Sequence, residues 1–235
     1  MKQTHPALTL RLAICIALVG LASTGKTFAD EDGFKSIFDG KTLKGWEGNS
    51  EFWSVKDGAI TGQTTPDKKL TTNNFVIWEG ETTDFELHLK FRIENGNSGI
   101  QFRSEHLGDF VVKGYQADID ATMRYMGILY EERGRGILAE RGNKVEITAS
   151  GEKKVIGKAG DGEALLDSLK KEGWNEYVII AKGNQIIQKI NGHTSIEVVD
   201  HQDDKRAKKG ILAFQVHVGP PMIVQFKDIK IKELK

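Results

Sequence analysis

Three stretches of the chain alternate apolar residues with groups able to do chemistry. Gln101, Arg103 and Glu105 alternate with Ile100 and Phe102. Gln116, Asp118 and Asp120 alternate with Tyr115, Ala117 and Ile119, and Gln215 and His217 with Phe214, Val216 and Val218. An extended strand sends successive side chains to opposite faces, so each stretch shows a hydrogen-bonding side and an apolar side. If the three strands are neighbours, amides, carboxylates, a guanidinium and an imidazole share one sheet surface, which suits a polyhydroxylated ligand. The plainer reading is the wet face of an antiparallel sheet, with Arg103 paired to a carboxylate across strands.

His217 is the best candidate for proton transfer, because imidazole titrates near neutrality and this one lies at a strand end just before Gly219-Pro220-Pro221. A purely structural histidine is the alternative. Asp118 and Asp120 project to the same side and could hold a divalent cation or act as an acid/base pair. An isolated Asp-x-Asp still needs ligands from other segments to complete a metal site. The run Tyr130, Glu131, Glu132, Arg133 and Arg135 reads as a charged loop. It could close the mouth of a groove, with an arginine facing developing negative charge and Glu131, Glu132 or Tyr130 shaping the site. His88 reads as solvated, while His106, His193 and His201 fall in turn-like sequence. Trp46 could stack on a sugar ring; Trp53, Trp78 and Trp174 read as core. No phosphate-binding loop, His-Glu-x-x-His or Gly-x-Ser-x-Gly motif occurs.

The elements that must position these groups are strands. Asp84 to Ile93 alternates cleanly, and shorter alternating runs follow at Tyr115 to Asp120, Tyr177 to Lys182, Gln185 to Ile190, Ile211 to Val218 and Ile223 to Leu234. Asp57-Gly58, Asn95-Gly96, Gly183-Asn184 and Asn191-Gly192 supply hairpin turns. Glu163 to Glu172 has helical spacing and is stopped by Gly173, which predicts a short surface helix. Residues 133–162 read as an elaborated loop region with one strand, Val145 to Thr148. The chain is expected to be all-β, a sandwich or barrel.

The 235 residues carry 33 basic and 33 acidic side chains, so nothing resembles the basic footprint of a nucleic-acid binder. Residues 1–29 read as a signal peptide: Lys2 and Arg11 precede an apolar stretch, Leu12 to Ala22, too short to span a bilayer, and Thr27-Phe28-Ala29 fits a cleavage site. A lipid anchor on Cys15 is the weaker alternative, because Ile14 stands where a small residue is needed. Cleavage near Ala29 would leave one domain, residues 30–235, secreted or periplasmic and without a membrane anchor. Its 30 basic and 33 acidic residues give a formal charge of about −3. Cys15 is the only cysteine, so that domain would have no disulfide, thiolate nucleophile or cysteine-ligated metal.

Several segments together resemble the 3-keto-disaccharide hydrolase domain family. They are Phe34-Lys-Ser-Ile-Phe-Asp-Gly-Lys-Thr-Leu-Lys-Gly-Trp46, Phe52-Trp-Ser-Val-Lys-Asp-Gly58, Asp84-Phe-Glu-Leu, Asn97-Ser-Gly-Ile-Gln-Phe-Arg103, Gly114-Tyr-Gln, Gly173-Trp-Asn-Glu-Tyr177, Ile190-Asn-Gly192, Gly210-Ile-Leu-Ala-Phe-Gln-Val-His217 and Phe226-Lys-Asp-Ile229. The resemblance covers about residues 34–235. It implies a concanavalin A-like jelly-roll sandwich of two antiparallel sheets and a keto-sugar ligand, cleaved downstream of a sugar 3-dehydrogenase. In the chemistry so implied, a ketone at carbon 3 acidifies the carbon 2 hydrogen; a base removes it, the enolate expels the aglycone, and water adds.

On that chemistry His217 is expected to be the base. Arg103, with a cation held by Asp118 and Asp120, would stabilise the oxyanion, while Gln101, Gln116 and Gln215 would bind hydroxyls. The chain departs from the family pattern where many relatives carry Glu and Gln and it carries Gln116 and Asp118. A non-catalytic carbohydrate-binding module and an ordinary two-carboxylate glycosidase are the alternatives.

Overall fold

In the computed structural model, Met1 and residues 32–171 and 173–235 are described. The expected signal peptide, Cys15 and Glu172 lie outside them. The strands are β1 (Lys35–Ser36), β2 (Trp46–Glu47), β3 (Trp53–Lys56), β4 (Ala59–Gln63), β5 (Asn74–Thr82), β6 (Phe85–Glu94), β7 (Asn97–Gly108), β8 (Val111–Asp120), β9 (Leu129–Glu132) and β10 (Gly136–Ala139). They continue with β11 (Asn143–Ile147), β12 (Lys153–Lys158), helix α1 (Gly162–Asp167), β13 (Asn175–Lys182), β14 (Gln185–Ile190), β15 (His193–Asp200), β16 (Gly210–Val216) and β17 (Ile223–Glu233).

Two sheets form. The larger runs β12-β11-β15-β14-β13-β6-β17-β4-β3, with β1 paired to β17; the smaller runs β10-β9-β8-β7-β16-β5-β2. All pairings are antiparallel except β11 with β15. Their inner faces share one core in which Phe85, Leu87, Leu89 and Phe91 of β6 meet Ile100, Phe102, Tyr115, Ala117 and Phe214 of the smaller sheet. This is the expected jelly-roll sandwich, and it places β8, β7 and β16 side by side.

Four local expectations need correcting. The charged run from Tyr130 to Arg135 is not a loop throughout: Tyr130 to Glu132 lie in β9, and Arg133 to Arg135 form the turn to β10. Residues 133–162 hold three strands, one of which, β12, is wholly exposed and so shows no alternation of burial. His106 lies within β7 and His193 opens β15, rather than in turns. The helix is one short turn capped by Asp161, whose side chain accepts from Glu163 N and Ala164 N. It stops at Ser168 because the Asn175 side chain captures the amide and carbonyl of Lys170 at 2.9 and 3.0 Å, drawing the chain off the helix axis.

A buried ionic cluster ties the sheets together at one end. Asp200 of β15, fully buried, accepts from Tyr115 Oη of β8 at 2.6 Å and pairs with Arg135 at 2.8 Å. Arg135 also grips Glu131 through Nε and Nη2, both at 2.9 Å. Burial and the Asp200 carboxylate raise the Tyr115 pKa, keeping its phenol a donor. Removing one member of such a cluster leaves a buried charge without its partner. Asp200→Ala is therefore expected to lower unfolding free energy by about 3–5 kcal/mol, read from urea denaturation; a loss under about 1 kcal/mol would show that the cluster behaves like surface ion pairs.

Candidate functional site

Register aligns the chemistry-bearing residues in rows across the smaller sheet. Gln116 of β8 pairs with Gln101 of β7, which pairs with Ala213 of β16. Asp118 pairs with Gly99 and Asp120 with Asn97. Continuing the β7–β16 register puts Gln215 in the row of Gly99 and His217 in the row of Asn97. Ile100, Ala117 and Phe214 belong to the core, so all these groups stand on the outer face.

One end of that face is blocked. The β7–β8 hairpin folds over it, Phe110 O accepting from Phe75 N at 3.0 Å. Phe75, Ile77, Val112 and Ala213 form a second apolar cluster there, with Phe110 and Ile211 packed against it. Beyond this wall Gln101, Gln116 and Gln215 are nearly inaccessible and bonded in series. Ser104 Oγ donates to Gln101 Oε1 at 2.7 Å, Gln101 Nε2 to Gln116 Oε1 at 2.8 Å, and Gln116 Nε2 to Asp118 Oδ1 at 2.7 Å. Gly99 makes room for the chain of amides: a Cβ there would stand 2.4 Å from Gln116 Cδ.

Past the amides a pocket of about 630 Å³ opens, lined among others by Asn73, Asn97, Gln116, Asp118, Tyr130, Glu132 and His217. Asp118 is 6% exposed. Burial above all pushes its pKa up to about 8, against the lowering effect of its bonds from Gln116 and Asn97, with Asp120 and Glu132 adding to the rise. At neutral pH it is chiefly a carboxylic acid able to donate. Burial, then Glu132 and Asp118, likewise raise the Tyr130 pKa. His217 Nδ1 lies 2.5 Å from Val218 O. A carbonyl can only accept, so Nδ1 is the donor, which leaves Nε2 without a hydrogen-bond partner among the described residues.

Several expected roles do not fit these positions. Arg103 lies at a bulge of β7 with φ +47°, which turns its side chain away from the amide row. It donates instead to Thr83 O at 2.6 Å, Gly183 O at 2.8 Å and Asp84 Oδ1 at 2.8 Å, clamping the β5–β6 and β13–β14 turns. Glu131 points inward to Arg135, and Arg133 reaches Thr72 Oγ1 at 3.2 Å; both line a separate cavity with Arg103. Gln101 and Gln215 support the floor from beneath.

Asp118 and Asp120 do not fit a divalent cation. Asp120 Oδ1 accepts from Thr122 N at 3.0 Å, and its Oδ2 from Thr122 Oγ1 and Tyr125 N, both at 2.8 Å. No group of three or more His, Cys, Asp or Glu side chains converges among the described residues. Trp46 and Trp53 are core, Trp46 stacking on Phe214, while Trp174 lies under Arg92 and Lys227. Asn73 and Asn97 escaped sequence reasoning because they flank turns; the alternation of Asn97 with Ser98 and Gly99 was the available signal.

A jelly-roll sandwich with a closed-ended polar pocket on the outer face of its smaller sheet is the class these observations define. The chain belongs to the 3-keto-alpha-glucoside-1,2-lyase-like domain family, whose profile matches residues 33–232. It is 30% identical over 86 residues to a 3-keto-disaccharide hydrolase of Bacteroides thetaiotaomicron, a match covering 33% of this chain and 30% of that protein. A candidate glycosyl hydrolase from Parabacteroides distasonis shares the fold with a TM-score of 0.57 at 21% identity, over 86% of this chain and 99% of that one. The carbohydrate binding module CBM66 of Bacillus subtilis shares it with a TM-score of 0.54 at 14% identity, over 80% and 96%.

The raised Asp118 pKa has a thermodynamic consequence. Between about pH 4 and 8 the folded chain holds a proton that the unfolded chain releases, so this group's contribution to stability falls as pH rises through that window. Asp118→Asn removes the effect. Urea denaturation should show the variant gaining on the parent from pH 4 to pH 8; a constant difference would place the Asp118 pKa near its ordinary value.

Proposed function

We propose that this protein cleaves 3-keto-glycosides by removing the proton at carbon 2 and eliminating the aglycone from carbon 1. The observation that carries the reading is the meeting of a histidine having a free Nε2 with neutral donors in one closed-ended pocket. Nε2 of His217 takes the carbon 2 proton, and the electron pair moves onto the carbon 3 oxygen as an enolate. Asp118, as the carboxylic acid, and the Tyr130 phenol are the groups able to donate to that oxygen, so the negative charge forms beside donors already in place. The enolate then re-forms the ketone, making the carbon 1–carbon 2 double bond as the bond to the aglycone oxygen breaks. The imidazolium returns a proton to that oxygen. Water adds at carbon 1 and a proton at carbon 2, completing net hydrolysis.

The membership in a 3-keto-glucoside lyase-like family supports this reading. The substrate must first be oxidised at carbon 3, which calls for a sugar 3-dehydrogenase acting upstream in the compartment to which the chain is exported. Elimination needs no second carboxylate facing the first across the bond, and here the two carboxylates near Asp118 are engaged elsewhere: Asp120 has both oxygens bonded to its own loop, and Glu132 accepts from Asn73 Nδ2 at 3.3 Å and Gln215 Nε2 at 3.5 Å.

Purified protein incubated with a 3-keto-glucoside and with its unoxidised parent is expected to release aglycone from the keto form alone. Release from the parent would instead indicate an ordinary glycosidase, and saturable binding without product a carbohydrate-binding module. His217→Ala should lower kcat by about 10²-fold or more, and near-normal turnover would remove His217 from the role. The rate should fall above about pH 8 as Asp118 ionises, and this alkaline limb should be missing in Asp118→Asn.

A further inference from the structure

The two loops that form the pocket mouth present apolar side chains and are held open. Tyr125 is 36% exposed and Val218 39%, among the few large hydrophobic side chains left in solvent, and Pro220 lies exposed beside Val218. Ile137 lines the same pocket. Neither loop is free to fold these groups away. Residues 121–127 are pinned by the Asp120 carboxylate and by Arg141, whose Nη1 donates to Met123 O at 3.1 Å and Met126 O at 2.6 Å. Residues 218–222 are fixed by Val218 N to Asn73 Oδ1 at 2.9 Å and by Met222 N to Thr64 Oγ1 at 3.1 Å, with Pro220 and Pro221 between them. A rigid exposed apolar rim around a polar floor marks a surface kept for a ligand.

Polar side chains around that pocket are already bonded within the protein: Thr122 Oγ1 donates to Asp120 Oδ2 at 2.8 Å. Asn73 Nδ2 donates to Glu132 Oε1 at 3.3 Å while its oxygen holds Val218 N, and Gln215 Nε2 reaches Glu132 Oε2 at 3.5 Å. Few donors are left there for the hydroxyls of a second sugar.

Position along the strands assigns the rim to one part of the substrate. Asp118 lies one row deeper than His217, and the row spacing is about 7 Å; the Val218–Met222 loop follows His217 directly. A base at carbon 2 with donors at the carbon 3 oxygen on its inner side leaves carbon 1, and whatever it carries, pointing outward. We infer that the site selects glycosides whose aglycone is an apolar group, received by Tyr125, Val218 and Pro220, over those whose aglycone is another sugar. The inference rests on the proposed keto-glycoside reaction.

The test compares cyclohexyl 3-keto-glucoside with a 3-keto-disaccharide, each kcat/KM being divided by that compound's hydroxide-catalysed elimination rate so that the different acidities of the two leaving alcohols cancel. The expected result is a kcat/KM about tenfold higher for the cyclohexyl compound, with the ratio falling toward one in Val218→Asn and in Tyr125→Ser. An equal or higher kcat/KM for the disaccharide overturns the inference while leaving the reaction standing, as does a ratio unchanged in both variants. Failure to cleave either compound overturns the reaction itself and the inference with it.

Discussion

A carboxyl group from which water is excluded keeps its proton unless a cation or enough hydrogen-bond donors stand in for the lost solvent. Asp118 is in that position. Its neighbours are amides, which satisfy an oxygen without supplying a positive charge, and two further carboxylates, which oppose ionisation. The cation that alternation alone would set on the same face, Arg103, is carried elsewhere by a bulge. The pocket therefore offers a neutral carboxylic acid and a phenol as donors, a combination suited to meeting a charge that appears during reaction rather than one already present.

The architecture serves that arrangement from both sides. The serial bonding from Ser104 through Gln101 and Gln116 fixes the floor, and Gly99 is needed because the Gln116 amide lies where any Cβ would stand. Behind the sheet, the Arg135 cluster joins β8 and β9 to β15, holding the two strands that carry Asp118 and Tyr130. The apolar β7–β8 hairpin closes one end and the pinned loops shape the other. The chemistry thus depends on packing that no residue of the pocket itself supplies.

Much of the fold was legible in the sequence, because the core strands have one apolar face and their period of two is plain from Phe85 to Ile93. The adjacency of the three polar faces was only a condition in the sequence; the strand order β8-β7-β16 meets it, and His217, Asp118, Gln116 and Tyr130 do line one pocket. What alternation could not reveal was where it breaks. The positive φ of Arg103 redirects a side chain that parity placed on the site face; Glu131 instead keeps the parity of Leu129 and faces inward, where Arg135, four residues away, pairs with it. β12 was hidden because neither of its faces is buried. Asp120 looked like a metal ligand until its loop was seen to fold back on both its oxygens.

The fate of the carbon 2 hydrogen tests the central claim most directly. Cleavage of a 3-keto-glucoside in D₂O, followed by mass and NMR analysis of the released sugar against an enzyme-free control, would read it. Abstraction and elimination predict that the protium at carbon 2 is lost, replaced by deuterium in the hydrated product. Retention of that protium in the product would contradict the account, since direct displacement at carbon 1 leaves the carbon 2 bond intact.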